Sequence, residues 1–294
     1  GAMTVWIDAL RQAPPETRLF AGLAVLAITI GLVMPLEFSG SWLVAVIVVP
    51  VVLLGLPHGA IDPFIAWQSG VWRSPAGAIL FLGVYTLLAG LVFLAWNYAP
   101  IVLLTGFLLI SAWHFAGDWR LNSHWAARLA IGVSLLSLPA LFHEYRVAEL
   151  YTYISGDSAE LVASLQGAIA PAGLCVLMAG ALLADPVERV ELILLAALAI
   201  TVPPLLYFAI YFCVLHSPRH IRNTLQDLSP LARRQAVLAS AVFTAATLLL
   251  AIPAWLWLSD RPVFDSRLIA IVFIGLAALT VPHMLLIEWR ERRS

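Results

Sequence analysis

Five histidines lie at the ends of apolar stretches in this 294-residue chain, where their imidazoles could bind a metal ion. They occur in the segments GLPHGAID, SAWHFAGDW, HSPRH and VPHMLLIE and are His58, His114, His216, His220 and His283. A single histidine in such a position is more often a hydrogen-bonded packing residue than a ligand. Five of them together indicate a metal site, and several imidazoles without a thiolate suit Fe(II), Zn(II) or Cu(II) by ligand type.

The spacing of His216 and His220 strengthens the metal-site prediction. Residues four positions apart lie one turn apart on the same face of a helix, as the two histidines of the HExxH zinc motif do. The pair can therefore share a metal ion, although Pro218 lies between them. No glutamate stands between the two histidines to act as a general base, which disfavours an intramembrane zinc hydrolase.

Two aspartates follow histidines at the same spacing. Asp62 lies four residues after His58, and Asp118 lies four residues after His114. A ligating histidine usually donates its second ring N–H to a carboxylate or carbonyl, which fixes its tautomer. We therefore expect Asp62 and Asp118 to orient these imidazoles. The alternatives are that they bind the metal directly or are solvated charges at helix ends.

The chain around these residues is too apolar for a water-soluble fold. Hydrophobic residues make up 62% of the chain and charged residues 11%, and the mean hydropathy is +0.95. Soluble domains are about half apolar and about a quarter charged. Strand-like alternation is absent, so we predict an all-α, polytopic bundle of transmembrane helices. The net charge of −1 argues against a nucleic-acid partner, and Cys175 and Cys213 are expected to be packing residues.

Apolar runs define the predicted spans, since about 20 apolar residues cross a bilayer as a helix. The runs cover residues 18–36, 41–57, 76–96, 99–116, 125–142, 159–184, 190–217, 235–257 and 267–288. The run 190–217 is too long for one ordinary span and is interrupted by Pro203 and Pro204, before which a helix usually ends. Counting it as two segments predicts about eight to ten helices.

The arginines, which are the only basic residues apart from histidine, indicate the topology. If 190–217 forms two crossings and the N-terminus is cytoplasmic, only Arg146, Arg261 and Arg267 of the 16 lie outside. A single crossing would divide the arginines evenly between the two sides. The positive-inside rule therefore predicts an even number of crossings with both termini cytoplasmic. In that topology the five histidines lie toward the cytoplasmic ends of their helices.

The expected domain organisation is simple. Residues 1–3 read as an expression remnant with the start Met, and 4–17 as a cytoplasmic N-terminal segment. Residues 18–288 are predicted to form a single transmembrane catalytic domain. Residues 289–294 are expected to be a basic cytoplasmic tail.

The four histidine segments together resemble the Brp/Blh family of bacterial and archaeal membrane β-carotene 15,15′-dioxygenases. They occur in the family's order and span the chain from about residue 40 to its end. The resemblance implies a non-haem Fe(2+) enzyme that cleaves the central double bond of β-carotene with O₂ to give two molecules of all-trans-retinal. It also implies that the iron ligands are His58, His114, His216 and His220, and that residues beside them or on the substrate wall are Asp62, Asp118 and His283.

The implied substrate dissolves in lipid, so the resemblance implies an apolar tunnel within the prokaryotic cytoplasmic (inner) membrane. Membrane lipid would surround the enzyme, and the product retinal would pass to a rhodopsin-type protein. Aromatic residues near the histidines are expected to line the tunnel, with ordinary packing as the alternative: Trp113, Phe115, Tyr207, Tyr211 and Phe212.

Two other functions stay open at this point. Histidines on facing helices could hold a haem in a bis-histidine electron-transfer protein. A membrane metal or proton transporter would suit the segment broken at Pro203 and Pro204, although the sequence has no internal repeat to support it.

Overall fold

The computed structural model describes residues 8–34, 36, 41–120, 124–261 and 263–293, with the side chains of 41–43 outside the description. In these residues the regular elements are helices and no β-strand occurs, which confirms the all-α prediction. Apolar stretches become helices because a helix satisfies its own backbone hydrogen bonds. The predicted remnant 1–3 and part of the predicted segment 4–17 lie outside the described residues.

The helices are numbered in chain order from Pro15. They are α1 Pro15–Val33, α2 Ser41–Pro50, α3 Leu56–Ala60, α4 Asp62–Gln68, α5 Pro75–Ala95, α6 Pro100–Ala116, α7 Trp125–Ser137, α8 Ala140–Ser155, α9 Glu160–Leu183, α10 Pro186–Thr201, α11 Pro204–Ile210, α12 Ser217–Leu225, α13 Pro230–Trp257 and α14 Phe264–Glu291. Segments Val51–Gly55 and Tyr211–His216 are π-helical. Each π-helical segment leads directly into a histidine motif, and π-helical turns are frequent at functional sites.

Six helical stretches among the described residues are long and apolar enough to cross a membrane, so the chain is a multi-pass membrane protein. They are Pro15–Val33, Val44–Gln68, Pro75–Ala95, Glu160–Leu183, Pro230–Trp257 and Phe264–Glu291. Helices α7 and α8, bent by 75° around Pro139, add a seventh if they form one span. Fewer spans are found than the eight to ten helices predicted. Helix α6 is shorter than the other spans, α7 and α8 are bent, and the run 190–217 divides into shorter elements. Crossing parity and terminus orientation stay predictions.

Packing divides the chain into two units. One takes residues from 1–47, 111–152 and 158–216, and the other from 48–110, 153–157 and 217–294. In the first unit α9 packs on α7 and α10, and α10 packs on α1. In the second unit α14 packs on α5, and α13 packs on α3. The predicted single catalytic domain stays a prediction.

A close helix crossing in the first unit lies next to His114. A Cβ atom built on Gly132 of α7 would come within 1.8 Å of the carbonyl oxygen of Ala112 in α6. Only glycine lets the two backbones approach this closely. The crossing therefore fixes the end of α6 that carries His114.

Serine hydroxyls support the irregular backbone before His58 in the second unit. Pro57 has no N–H, which removes one helical hydrogen bond. The hydroxyl of Ser217 donates to the carbonyl of Leu54 at 2.7 Å, and that of Ser240 donates to the carbonyl of Pro57 at 2.9 Å. These bonds connect the π-helical segment Val51–Gly55 to α12, and α3 to α13.

Candidate metal centre

Two sequence-predicted ligands of the first unit face each other through their Nε2 atoms. Nε2 of His114 lies 3.1 Å from Nε2 of His216, and the rings are nearly perpendicular at 81°. Two imidazole nitrogens bound at right angles to one ion, each about 2.1 Å from it, would lie about 3.0 Å apart. His114 and His216 therefore have the geometry of neighbouring ligands.

Asp118 orients His216, whereas the spacing predicted that it would orient His114. Its Oδ2 atom lies 2.9 Å from Nδ1 of His216 and accepts a hydrogen bond from the Tyr211 hydroxyl at 2.6 Å. Helix α6 ends at Ala116, so Asp118 lies in the following turn and not above His114 on a continuous helix. A carboxylate at Nδ1 favours a proton there, which directs the Nε2 lone pair of His216 to a metal.

Aromatic rings surround His216. The ring of Phe115 packs edge-on at 4.8 Å between centroids, and the ring of Phe212 stacks at 5.8 Å. Both side chains are buried, as is Tyr211. Three of the residues predicted to line a tunnel thus lie around the first-unit histidines, and their contact with a substrate stays a prediction.

The other two predicted tunnel residues make different contacts. The hydroxyl of Tyr207 donates to the carbonyl of Leu135 at 2.9 Å. The guanidinium of Arg128 lies over the ring of Trp113, 4.2 Å from its centroid, and also donates to its carbonyl. These contacts suit the packing alternative, and the place of both residues in a tunnel stays a prediction.

A buried carboxylate that the sequence analysis missed lies behind this group. Glu191 has no exposed surface and accepts hydrogen bonds from Thr17 at 2.6 Å and from the Trp119 indole at 3.0 Å. The Trp119 ring stacks on that of Tyr211, the residue that donates to Asp118. The only signal in the sequence was an acidic residue inside the apolar run 190–217.

Three histidine rings form a nearly equilateral triangle in the second unit. The centroid distances are 5.6 Å for His58 and His220, 5.4 Å for His58 and His283, and 5.5 Å for His220 and His283. The interplanar angles are steep, from 72° to 85°. Three imidazoles bound tetrahedrally to one ion at about 2.1 Å would have centroids about 5 Å apart. The triangle therefore brings His283 as close as the predicted ligands.

Asp62 holds His283 in place. The carboxylate is fully buried, and both of its oxygens lie 2.9 Å from Nδ1 of His283. The hydroxyl of Tyr85 in α5 donates to Oδ2 of Asp62 at 2.7 Å. Sequence reasoning missed Tyr85, a hydroxyl-bearing residue in a mostly apolar helix.

Asp62 was expected to pair with His58, but it contacts His283 instead, just as Asp118 contacts His216. Nδ1 of His58 donates to the carbonyl oxygen of Gly55. Helix α3 ends at Ala60, and α4 begins at Asp62, so the two residues do not share one helical face. Since a carbonyl only accepts, the His58 proton lies on Nδ1, and Nε2 is the atom suited to bind a metal.

This donor chemistry fits a divalent first-row metal ion. Nδ1 contacts an oxygen acceptor in His58, His216 and His283, and in each unit one of these acceptors is a carboxylate. Neutral imidazoles leave the positive charge of a metal ion uncompensated, so the negative charges of Asp62 and Asp118 complement it. The sharing of one ion by His216 and His220 stays a prediction.

The profile of a protein family matches most of the chain. The family is described as "Beta-carotene 15,15'-dioxygenase", and the match covers residues 49–291. This chain belongs to the β-carotene 15,15′-dioxygenase family. The resemblance inferred from the histidine segments is thereby confirmed, and the family match includes all five histidines from His58 to His283.

Curated β-carotene 15,15′-dioxygenase relatives match over most of their length. A protein of an uncultured marine bacterium, 66A03, named "Beta-carotene 15,15'-dioxygenase", is 32% identical over 253 residues, which cover 81% of this chain and 90% of the relative. A Halobacterium salinarum protein named "Probable beta-carotene 15,15'-dioxygenase Blh" is 27% identical over 300 residues, which cover 84% of each. No solved structure matches the chain significantly.

Proposed function

We propose that this protein cleaves the central 15,15′ double bond of β-carotene with O₂ to give two molecules of all-trans-retinal. The observation that carries the proposal is the family match over residues 49–291, together with a 32% identical relative named for this activity. The reaction balances without another reactant, because each of the two new carbonyl groups takes one atom of O₂. No proton has to be removed, which is consistent with a site of histidines and no evident general base.

The proposed cofactor is non-haem Fe(2+), and the proposed ligands are the four histidines that the resemblance implies. Support comes from the separation of 3.1 Å between the Nε2 atoms of His114 and His216. Further support comes from the 5.6 Å between the ring centroids of His58 and His220. Bound iron supplies the one-electron chemistry that lets triplet O₂ react with a closed-shell hydrocarbon.

The protein residues contribute orientation and charge. Asp118 and the Gly55 carbonyl hold protons on Nδ1 of His216 and His58, which fixes the ring orientations before metal binding. The buried rings of Phe115 and Phe212 keep water from the His216 side of the site. Apolar walls of this kind suit a hydrocarbon substrate.

The substrate is proposed to enter from the lipid. Helix α5 has no buried residue and exposes Ile79, Leu80 and Leu87, as a helix with one side facing lipid would. We place the enzyme in the prokaryotic cytoplasmic membrane, with retinal passing to a rhodopsin-type protein. The proposed tunnel residues are those predicted from the sequence, of which Phe115, Tyr211 and Phe212 lie near His216.

The distance between His114 and His216 argues against the bis-histidine haem alternative for this pair. Axial nitrogens on opposite faces of a haem would be about 4 Å apart, since each lies about 2 Å from the iron. A separation of 3.1 Å leaves no room for a porphyrin plane. The family match likewise favours an oxygenase over a metal or proton transporter.

The direct test combines metal analysis with product identification. Purified protein is loaded with Fe(II) or Zn(II), supplied with β-carotene in detergent micelles, and assayed by chromatography with and without O₂. We expect retinal as the sole carotenoid product, two per β-carotene, only with iron and O₂. Equal activity with zinc, longer or shorter aldehydes, or a Soret band in the protein would overturn the proposal.

Isotope labelling tests the dioxygenase assignment separately. The reaction is run in ¹⁸O₂, and the aldehydes are reduced at once to limit exchange with water. We expect one labelled oxygen in each half of the substrate. Label in only one half would show that the second oxygen comes from water and would exclude a dioxygenase.

A further inference from the structure

We infer that His283 is a direct ligand of the metal ion bound by His58 and His220, a role that the sequence comparisons do not assign. The inference rests on the proposed metal centre. It replaces the expectation that His283 lies beside the ligands or on the substrate wall. Three features of the second unit support it: the ring triangle, the environment of Nδ1 and the burial.

In the triangle the ring of His283 is as close to each of the other two rings as those two are to each other. Its centroid is 5.4 Å from that of His58 and 5.5 Å from that of His220, while those two are 5.6 Å apart. A histidine that only supported a ligand would contact that ligand's Nδ1 atom. In His58 that atom is instead held by the carbonyl of Gly55. Ligand nitrogens of His58 and His283 lie within 4.8 Å of each other, so the two imidazoles are close enough to bind one ion.

The environment of His283 also repeats that of His216, a proposed ligand. In the first unit the Tyr211 hydroxyl donates to Asp118, whose carboxylate contacts Nδ1 of His216. In the second unit Tyr85 donates to Asp62, whose carboxylate contacts Nδ1 of His283. The distance from the aspartate oxygen to Nδ1 of the histidine is 2.9 Å in both units. A tyrosine–aspartate–histidine arrangement of this kind keeps the Nδ1 proton in place and makes Nε2 the metal-binding atom.

Burial supplies the third argument. Asp62 has no exposed surface and His283 only 3%. A buried carboxylate is costly unless charge or hydrogen bonds compensate it. A cation bound at Nε2 makes the imidazole N–H a stronger donor toward Asp62, so metal binding stabilises both groups. A histidine on the wall of a hydrocarbon tunnel would bind no cation, so it would stabilise the buried carboxylate of Asp62 less.

The experiment must separate a ligand from an orienting residue, because loss of either lowers metal affinity. Supporting residues around a metal typically change affinity 10- to 100-fold. We therefore propose His283→Cys in the full-length protein, loaded with Co(II) and followed by absorption spectroscopy. A thiolate bound to Co(II) gives an intense charge-transfer band in the near ultraviolet, whereas a thiol beside the site does not.

The matched control is His124→Cys, which adds a cysteine at an exposed position outside the centre. The native Cys175 and Cys213 are present in every variant, so any band they produce also appears in the wild type. We expect the charge-transfer band in His283→Cys alone. Stoichiometric Co(II) without that band would overturn the inference.

A second variant decides the matter if His283→Cys does not bind Co(II). His283→Gly is supplied with ¹⁵N-imidazole and Fe(II), and its nitrosyl complex is studied by pulsed EPR. Coupling to the added ¹⁵N supports direct ligation, and its absence overturns it. Failure of the proposed function is distinguishable, because wild-type protein would then give no retinal with iron and O₂, whatever the spectra of the His283 variants show.

Discussion

The carboxylate of Asp62 lies 2.9 Å from Nδ1 of His283, although 221 positions separate the two residues in the chain. Asp62 is the last residue of the GLPHGAID motif near the start of the second unit, and His283 belongs to the long helix α14. The contact thus connects two of the four sequence motifs. It also shows that the GLPHGAID motif supplies more than its histidine.

Replacing Asp62 tests the function of this contact. We expect Asp62→Asn to lower iron affinity 10- to 100-fold, because a neutral amide fixes the Nδ1 proton less strongly and loses the compensating charge. Chelator competition measures the affinity. Tyr85→Phe, which removes only the hydrogen bond to the carboxylate, should have a smaller effect. Unchanged affinity in Asp62→Asn would exclude an orienting role.

Removal of a proposed ligand should have a larger effect. We expect His216→Ala and His58→Ala each to lose bound iron and to reduce retinal production more than about 100-fold, beyond the loss typical of a supporting residue. His124→Ala is the control, since His124 caps the exposed start of α7 by accepting from the Ala126 amide. Full iron content and activity in either ligand variant would contradict the assignment.

The buried carboxylate of Glu191 gives a stability prediction. Thr17→Ala removes the hydroxyl that donates to Glu191 at 2.6 Å. Removing a donor to a buried group costs about 1–3 kcal/mol, so the free energy of unfolding should fall by about that amount. Thr29→Ala on the same helix is the control, because its exposed hydroxyl donates to the Val25 carbonyl of its own helix. Chemical unfolding in detergent would measure both, and equal effects would refute the prediction.

The glycine crossing near His114 gives a geometric prediction. Gly132→Ala places a Cβ atom 1.8 Å from the Ala112 carbonyl oxygen, so α6 and α7 must separate. We expect a lower Tm and reduced iron content, since His114 moves with the end of α6. At Gly106 of α6, no atom of the described chain lies within 4 Å of an added Cβ. Gly106→Ala should therefore be neutral or stabilising by up to about 1 kcal/mol.

The histidine motifs and the helical class could be predicted from the sequence because both depend on local patterns. The histidine partner of each aspartate could not be predicted. The predicted pairs assumed one continuous helix through His58 and Asp62 and another through His114 and Asp118. Both helices end before the aspartate. Contacts such as Thr17 with Glu191 join residues 174 positions apart, and no periodic pattern encodes them.

The span count illustrates the same limit. Hydropathy identifies apolar runs but not where they bend, so residues 125–142 read as a straight crossing although α7 and α8 meet at 75°. Pro139 lies at that bend, and Pro203 and Pro204 divide the run 190–217. Proline marks a possible break, and packing decides the angle.

The triangle of His58, His220 and His283 also sets the order in which the protein can mature. A ribosome translates α3 early and α14 more than two hundred residues later. Until α14 is inserted, the triangle lacks His283, and Asp62 has the Tyr85 hydroxyl but not the imidazole of His283. A nascent chain therefore cannot acquire the complete centre, which delays oxidative activity until synthesis is almost finished.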